Sequence, residues 1–162
     1  MMDRVKESLF SILSGWEAIE GRALDLFAGT GSLGIELLSR GAAWGDFVEQ
    51  RSEVCAVIKE NLRHTKLDQK AHVYQMSVER FITAGVAEPY DIIMMDPPYR
   101  SPTIEATIVA LAESNLVHDG TILVVGHWPW LSLQEQYGEF QLLKSRRIAD
   151  SLFSIYEYGS ED

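Results

Sequence analysis

A single cysteine, Cys55, occurs in 162 residues. One thiol excludes an internal disulfide and fits a reducing compartment, so a cytoplasmic location is expected. Cys55 stands in a helical pattern with Val54, Val57 and Ile58, where a packing residue is a better reading than a nucleophile. Long apolar runs are also missing. None approaches the roughly 18 residues of a membrane span, and the first residues are charged rather than signal-like. Basic side chains are scarce too: Lys and Arg total 14 against 24 Asp and Glu, a net charge of −10. Phosphate neutralisation supplies most of the affinity of nucleic-acid binders, so a chain this acidic would grip RNA only through a local basic face. Repeats, low-complexity stretches and internal linkers are absent. With 46% apolar residues, one globular domain over residues 1–162 with a full core is expected, as a monomer.

The stretch from Leu24 to Glu36 organises what is there. It reads as a buried strand, Ala23 to Phe27, then a glycine turn, then a helix with Ser32 as its N-cap. Gly29, Gly31 and Gly34 spell G-x-G-x-x-G, the pattern by which βαβ proteins bring a nucleotide close to a helix N-terminus. Asp25 narrows the ligand. A carboxylate just ahead of the glycines would repel a pyrophosphate but attract the ammonium of a methionine moiety, directly or through water. S-adenosylmethionine fits that description. Glu49 ends the next strand, about 20 residues on, where an acidic side chain can accept both hydrogens of a ribose diol. The plainer alternatives are a strand-end cap for Asp25 and a solvated charge for Glu49. Asp25, Phe27, Gly29, Gly31 and Glu49 make up this half of the expected cofactor set.

A second anchor follows the apolar run Tyr90 to Met95, which reads as a buried strand and ends in Asp96-Pro97-Pro98-Tyr99. Two prolines fix φ and remove two N–H donors, so the backbone leaves the sheet on a stiff path with carbonyls turned outward. Asp96 and the Pro97 carbonyl can each accept one hydrogen of a planar molecule's NH2 group while Tyr99 stacks on its ring. A simple Pro-Pro turn is the alternative. These three are the candidate catalytic residues, and Asp96 would also border the cofactor.

Both motifs, with the opening Asp3-Arg4-Val5-Lys6-Glu7-Ser8-Leu9-Phe10-Ser11-Ile12-Leu13, make the chain similar to the RsmD family of bacterial 16S ribosomal RNA guanine-N2 methyltransferases. The similarity runs from Asp3 to about Tyr158. The D-P-P-Y tetrad is shared with other amino-methyltransferases; the opening helix is more family-specific. The resemblance implies methyl transfer from S-adenosylmethionine to the exocyclic amine of one guanine, with 16S rRNA or the small ribosomal subunit as partner. Family members carry a further N-terminal strand hairpin leading into an Arg-Pro-Thr sequence; here it is missing, and a trimmed or misplaced start is expected. The family tends to place Asp or Asn at Ser77 to meet the adenine amine, and serine has a shorter reach. Met76 or Val78 is expected to pack on the adenine face or to belong to the core.

The other elements follow from periodicity. Helices are expected over 3–14 with Asp3 as N-cap, over 32–40 closed by Gly41, over 52–65, briefly after Ser77, and over Thr103 to Leu116. Further strands are expected at Trp44 to Glu49, Ala71 to Gln75, Thr121 to Val125, Phe140 to Ile148 and Leu152 to Tyr158, the last two as an antiparallel hairpin. Lys144, Arg146 and Arg147 form the densest basic cluster, on a strand that faces RNA or protects a sheet edge. Arg4 and Lys6, on a helix that borders the site in the family, and the stripe Lys59, Arg63 and Lys66 read better as solvated charges than as an RNA groove; Arg100 either touches a phosphate or pairs locally. Trp128 and Trp130 replace residues the family more often has charged; they suit rim packing better than base stacking. His127 beside them is not required as a base, because a guanine amine becomes acidic only once methylated.

The fold expected from all this is doubly wound α/β, a mostly parallel seven-stranded sheet of the Rossmann-like class I S-adenosylmethionine-dependent methyltransferase type. Three rival functions share parts of the pattern. DNA adenine-N6 methyl transfer uses the same tetrad but would want a target-recognition domain. Protein glutamine methyl transfer usually prefers Asn at the Asp96 position. A non-catalytic nucleotide-binding module is supported only by the acidic charge and the missing N-terminal segment.

Overall fold

The computed structural model describes residues 3–98 and 101–159. Its centre is an eight-stranded sheet in the order β3-β2-β1-β4-β5-β8-β7-β6. The strands are β1 (Arg22–Leu26), β2 (Trp44–Glu49), β3 (Ala71–Gln75), β4 (Ile92–Met95), β5 (Ile122–His127), β6 (Gln136–Tyr137), β7 (Phe140–Ile148) and β8 (Ser151–Tyr158). β1 to β5 pair in parallel, while β8 runs antiparallel to both β5 and β7. The expected seven strands are present. The eighth is β6, two residues paired back on β7 through a turn at Gly138, whose φ is 57°.

Helices α1 (Asp3–Gly15), α2 (Ser32–Ser39), α3 (Ser52–His64), α4 (Val78–Ala84) and α5 (Ile104–Ala112) connect and cover the strands. The alternation of side chains along buried strands decides which helix each residue meets. Leu24, Leu26, Ile93 and Met95 join the apolar layer under α4 and α5, with Phe81 and Ile108. Ala23, Ile92 and Met94 join the opposite layer under α1, α2 and α3, with Leu9, Leu37 and Ile58. Both faces of the central strands are therefore dry, which is why they read as apolar runs. Among the described residues no helix is long and apolar enough to cross a membrane.

Most boundaries fall within one or two residues of the sequence reading, and three differences concern a helix end. Ser32 is not the N-cap of α2; Gly31, left-handed at φ 82°, takes that position with no side-chain cap bond. Asp3 lies within α1 rather than before it. The helix expected to reach Leu116 stops at Ala112. Beyond it, Ser114 donates to the Leu111 carbonyl, and Asn115 brackets the Val86 backbone with bonds of 3.0 and 2.8 Å. Apolar periodicity thus runs on past the end of the helix.

The sheet order positions the site. β1 pairs with β2 on one side and β4 on the other, with Leu26 opposite both Val48 and Met95. The residues that follow Leu26, Glu49 and Met95 consequently leave the sheet side by side at its carboxyl edge, where open α/β sheets bind ligands. The turn after β1 is close-packed at one glycine and open at another. A Cβ on Gly34 would stand 2.4 Å from the Phe47 ring and 3.0 Å from the Asp25 carboxylate, whereas one on Gly29 would meet no atom within 4 Å.

Gly34→Ala should therefore lose about 1–3 kcal/mol of stability through overpacking against a buried ring. Gly29→Ala should cost about 1–2 kcal/mol, the penalty of a left-handed backbone alone. Urea unfolding of the two variants checks the order, and the larger loss belongs to Gly34→Ala.

Candidate functional site

A cavity of about 400 Å³ opens at the carboxyl edge of β1, β2 and β4. Phe27, Gly29, Glu49, Ser77 and Asp96 all line it, so five of the expected site residues converge from four separate loops. Apolar Val48, Met76 and Val78 form part of the same wall. Its volume falls within the roughly 300–1,000 Å³ of small-molecule sites. Phe27 holds a left-handed backbone at φ 57°, an uncommon conformation for a bulky residue and one that concentrates at functional sites.

Asp25 and Gly31 do not line this cavity. Strand alternation turns Asp25 toward α2, where its Oδ2 accepts the Gly34 N–H at 2.9 Å and only 2% of the residue is exposed. Burial pushes its carboxyl up to about 8, against the lowering effect of the Gly34 bond and with the Asp96 and Glu49 charges adding to the rise. Across the β1–β4 ladder Asp25 lies opposite Met94, two residues before Asp96. Gly31 instead caps α2, and a Cβ there would lie 3.1 Å from Ile58.

Glu49 is buried at the end of β2 but heavily bonded. Its Oε1 accepts the Gly29 N–H at 3.2 Å, and its Oε2 accepts the Arg51 backbone N–H at 3.0 Å and the Arg51 guanidinium Nε at 3.1 Å. Burial alone would raise its carboxyl; the Arg51 bonds, then the Gly29 bond and the Arg51 charge, outweigh burial and hold it below its ordinary value. Glu49 is thus an anion fastened to the glycine turn. Ser77 is the N-cap of α4 and accepts the Arg80 N–H at 3.2 Å, so its hydroxyl keeps one lone pair and its own hydrogen for the cavity. Arg51 also lines the cavity and was not anticipated. Its signal was local: a cation two residues past a buried strand-end carboxylate.

Asp96 and Pro97 border a second cavity of about 340 Å³, completed by Gly126, His127, Trp128, Asp150, Ser151 and Leu152. Asp96 thereby stands between two pockets, one on the β1–β2 side and one on the β5–β8 side. Tyr99 and Arg100 lie outside the described residues. His127 is buried, with Nε2 at 2.9 Å from the Ser154 hydroxyl and Nδ1 at 3.3 Å from the Trp128 carbonyl. Burial lowers its pKa against two backbone contacts, so the ring is neutral near pH 7. Trp128 lines the pocket, and Trp130 stands beside it with ring centroids 6.5 Å apart. The basic cluster divides between faces: Lys144 and Arg146 lie opposite Ile155 and Phe153, on the face covered by α1, whereas Arg147 lies opposite Leu152.

The buried Asp25 carries a pH signature. Between about pH 4, where a free aspartate ionises, and about 8, where this one does, the unfolded chain has released the proton that the native state still holds. Stability contributed by this group therefore falls as pH rises through that window. Asp25→Asn can still accept from Gly34 but does not titrate, so its stability relative to wild type should climb from pH 5 to pH 8. Thermal unfolding across that range checks the trend.

The architecture is shared with known proteins. The family described as Conserved hypothetical protein 95 matches residues 1–157. The YlbH protein of Bacillus subtilis is 31% identical over 157 residues, spanning 96% of this chain and 85% of that one. Ribosomal RNA small subunit methyltransferase D of Escherichia coli is 34% identical over 123 residues, 76% of this chain; the alignment spans 61% of the Escherichia coli protein. The solved structure of the yhhF protein from Escherichia coli superposes with a TM-score of 0.87 at 28% identity, over 99% of this chain and 87% of that one. The glycine turn, the buried strand-end glutamate and the Asp-Pro-Pro exit thus sit in a chain that belongs to the Conserved hypothetical protein 95 family, the RsmD family.

Proposed function

We propose that the protein transfers a methyl group from S-adenosylmethionine to the N2 amine of a guanine in 16S rRNA. The observation that carries this reading is the position of Asp96 as a common wall of two pockets, with Pro97 beside it on the second. One pocket suits an adenosyl cofactor and the other a flat base. The name borne by the Escherichia coli relative, a ribosomal RNA small subunit methyltransferase, supports rRNA as the substrate.

The first pocket fits the cofactor by its chemistry. Phe27, Val48, Met76 and Val78 offer apolar surface for an adenine ring, and Glu49 offers acceptors for ribose hydroxyls. Gly29 brings bare backbone to the wall where no side chain intervenes. Asp25 contributes from beneath: it ties the N-terminal turn of α2 to β1 through the Gly34 N–H. Bound there, S-adenosylmethionine supplies an electrophilic methyl group on a sulfonium.

The remaining work is positioning. Asp96 and the Pro97 carbonyl accept the two amine hydrogens, which turns the nitrogen lone pair toward the first pocket. Those bonds strengthen as the nitrogen gains positive charge, so they favour the transition state over the ground state. Holding both partners in line accounts for most of the acceleration. The proton leaves to water after transfer. A guanine stacked in a duplex does not reach such a pocket, so the target is looped or flipped out.

Labelled S-adenosylmethionine offered with naked rRNA, small ribosomal subunits, DNA or protein separates the possibilities. N2-methylguanosine in the rRNA is the expected product; label in DNA adenine or in protein glutamine would replace this reading, and no transfer at all would point to a non-catalytic module. Asp96→Ala should lower the rate by at least about 100-fold, in line with the loss of a transition-state hydrogen bond of the oxyanion-hole kind, and calorimetry should find its affinity for S-adenosylhomocysteine within a few-fold of wild type.

A further inference from the structure

The second pocket is defined by which hydrogen-bonding groups face it. Its charged side chains, among the described residues, are Asp96 on one wall and Asp150 on another, and no described Lys or Arg lines it. His127 has both ring nitrogens within reach of partners in its own surroundings, the Ser154 hydroxyl and the Trp128 carbonyl. The ionic side chains of this pocket are therefore acceptors.

Asp150 is also placed by more than chance exposure. It sits in the two-residue turn between β7 and β8, closed by the Ile148–Ser151 pair. The Arg147 guanidinium Nε donates to the Ala149 carbonyl at 3.0 Å, and Ala149 adopts a left-handed φ of 55°. A side chain at the end of β7 thus pins the turn that presents Asp150 to the pocket.

Nucleobases differ in what they offer to two carboxylates. Guanine carries its N2 amine next to the ring N1–H, a continuous row of donors. In adenine the N6 amine is flanked by the acceptors N1 and N7, and in cytosine the N4 amine is flanked by N3. A carboxylate facing a ring acceptor sets two lone pairs against each other and forfeits the charge-assisted bond that a ring N–H would make. We propose that Asp150 is the specificity-determining residue of this pocket, accepting the ring N1–H of the target guanine while Asp96 takes the N2 amine. This rests on the guanine-N2 reading above and adds the group that distinguishes guanine from other amine-bearing bases.

The test compares wild type with Asp150→Asn. The guanine methylated by wild-type enzyme is first located in small-subunit rRNA by nucleoside mass spectrometry. Two synthetic RNAs of that region are then made, one with guanine and one with 2-aminopurine at the target. 2-Aminopurine keeps the N2 amine but has an acceptor at N1. Wild type should methylate the guanine RNA about 10- to 100-fold faster than the 2-aminopurine RNA, the discrimination of one good base contact. The side-chain amide that Asp150→Asn introduces can donate to the N1 acceptor, so that ratio should shrink toward unity, mainly through KM, while affinity for S-adenosylhomocysteine is unchanged. Each ratio is measured within one preparation, so partial unfolding of the variant does not alter it. If wild type makes no N2-methylguanosine, the underlying function fails. If it does and the ratio is the same in both proteins, the function stands and Asp150 is only a turn residue.

Discussion

The hydrogen bond from the Gly34 N–H to the buried carboxyl of Asp25 ties the start of α2, just past the glycine turn, to β1. The strand donates an acceptor to one of the unsatisfied N–H groups at the start of α2, and the missing Cβ at Gly34 lets the helix settle onto Phe47. Phe27 and Gly29, ahead of this contact in the chain, line the cavity. The carboxyl stands at the positive end of a helix, which favours its charged form, yet it is so deeply covered that burial outweighs this and raises its pKa. A residue read as a ligand for a cofactor ammonium is, in its direct contacts, a bolt between a strand and a helix.

The second constraint is topological. Because β1 lies between β2 and β4, loops distant in sequence open onto one edge of the sheet, and Glu49 can bond the Gly29 backbone across 20 positions. On the other side of β4, the antiparallel return of β8 beside β5 brings the turn at Asp150 to the far side of Asp96. Two pockets with one wall in common are a consequence of this strand order. Neither needs a separate domain.

Much of this was legible in the residues. The buried strands announced themselves as apolar runs because both faces of the sheet are covered, and β2, β3 and β7 begin and end where periodicity placed them. Gly29, Glu49 and Asp96 were found from motif and spacing and Ser77 from the family resemblance, and they share a cavity. What escaped depended on partners far along the chain. The end of α5 is decided by Asn115 bonding Val86, and the orientation of Asp25 by which face of β1 meets α2. Strand β6 had a readable signal, a glycine in a two-residue turn before Phe140, but two residues give no alternation to notice. Arg51 and Asp150 belong to loops, where side-chain direction is set by turn geometry rather than by period.

Arg51 gives the glutamate at the cavity a particular character. A carboxylate offers about four lone-pair sites, and three on Glu49 are occupied: one by Gly29 and two by Arg51. A ligand presenting two vicinal hydroxyls needs one more than remains. The guanidinium is the partner cheapest to displace, since its side chain is largely exposed while the carboxylate is not. Arg51 is thus a resident counter-ion that holds the glutamate aligned at the cavity by two bonds, one from its guanidinium and one from its backbone N–H.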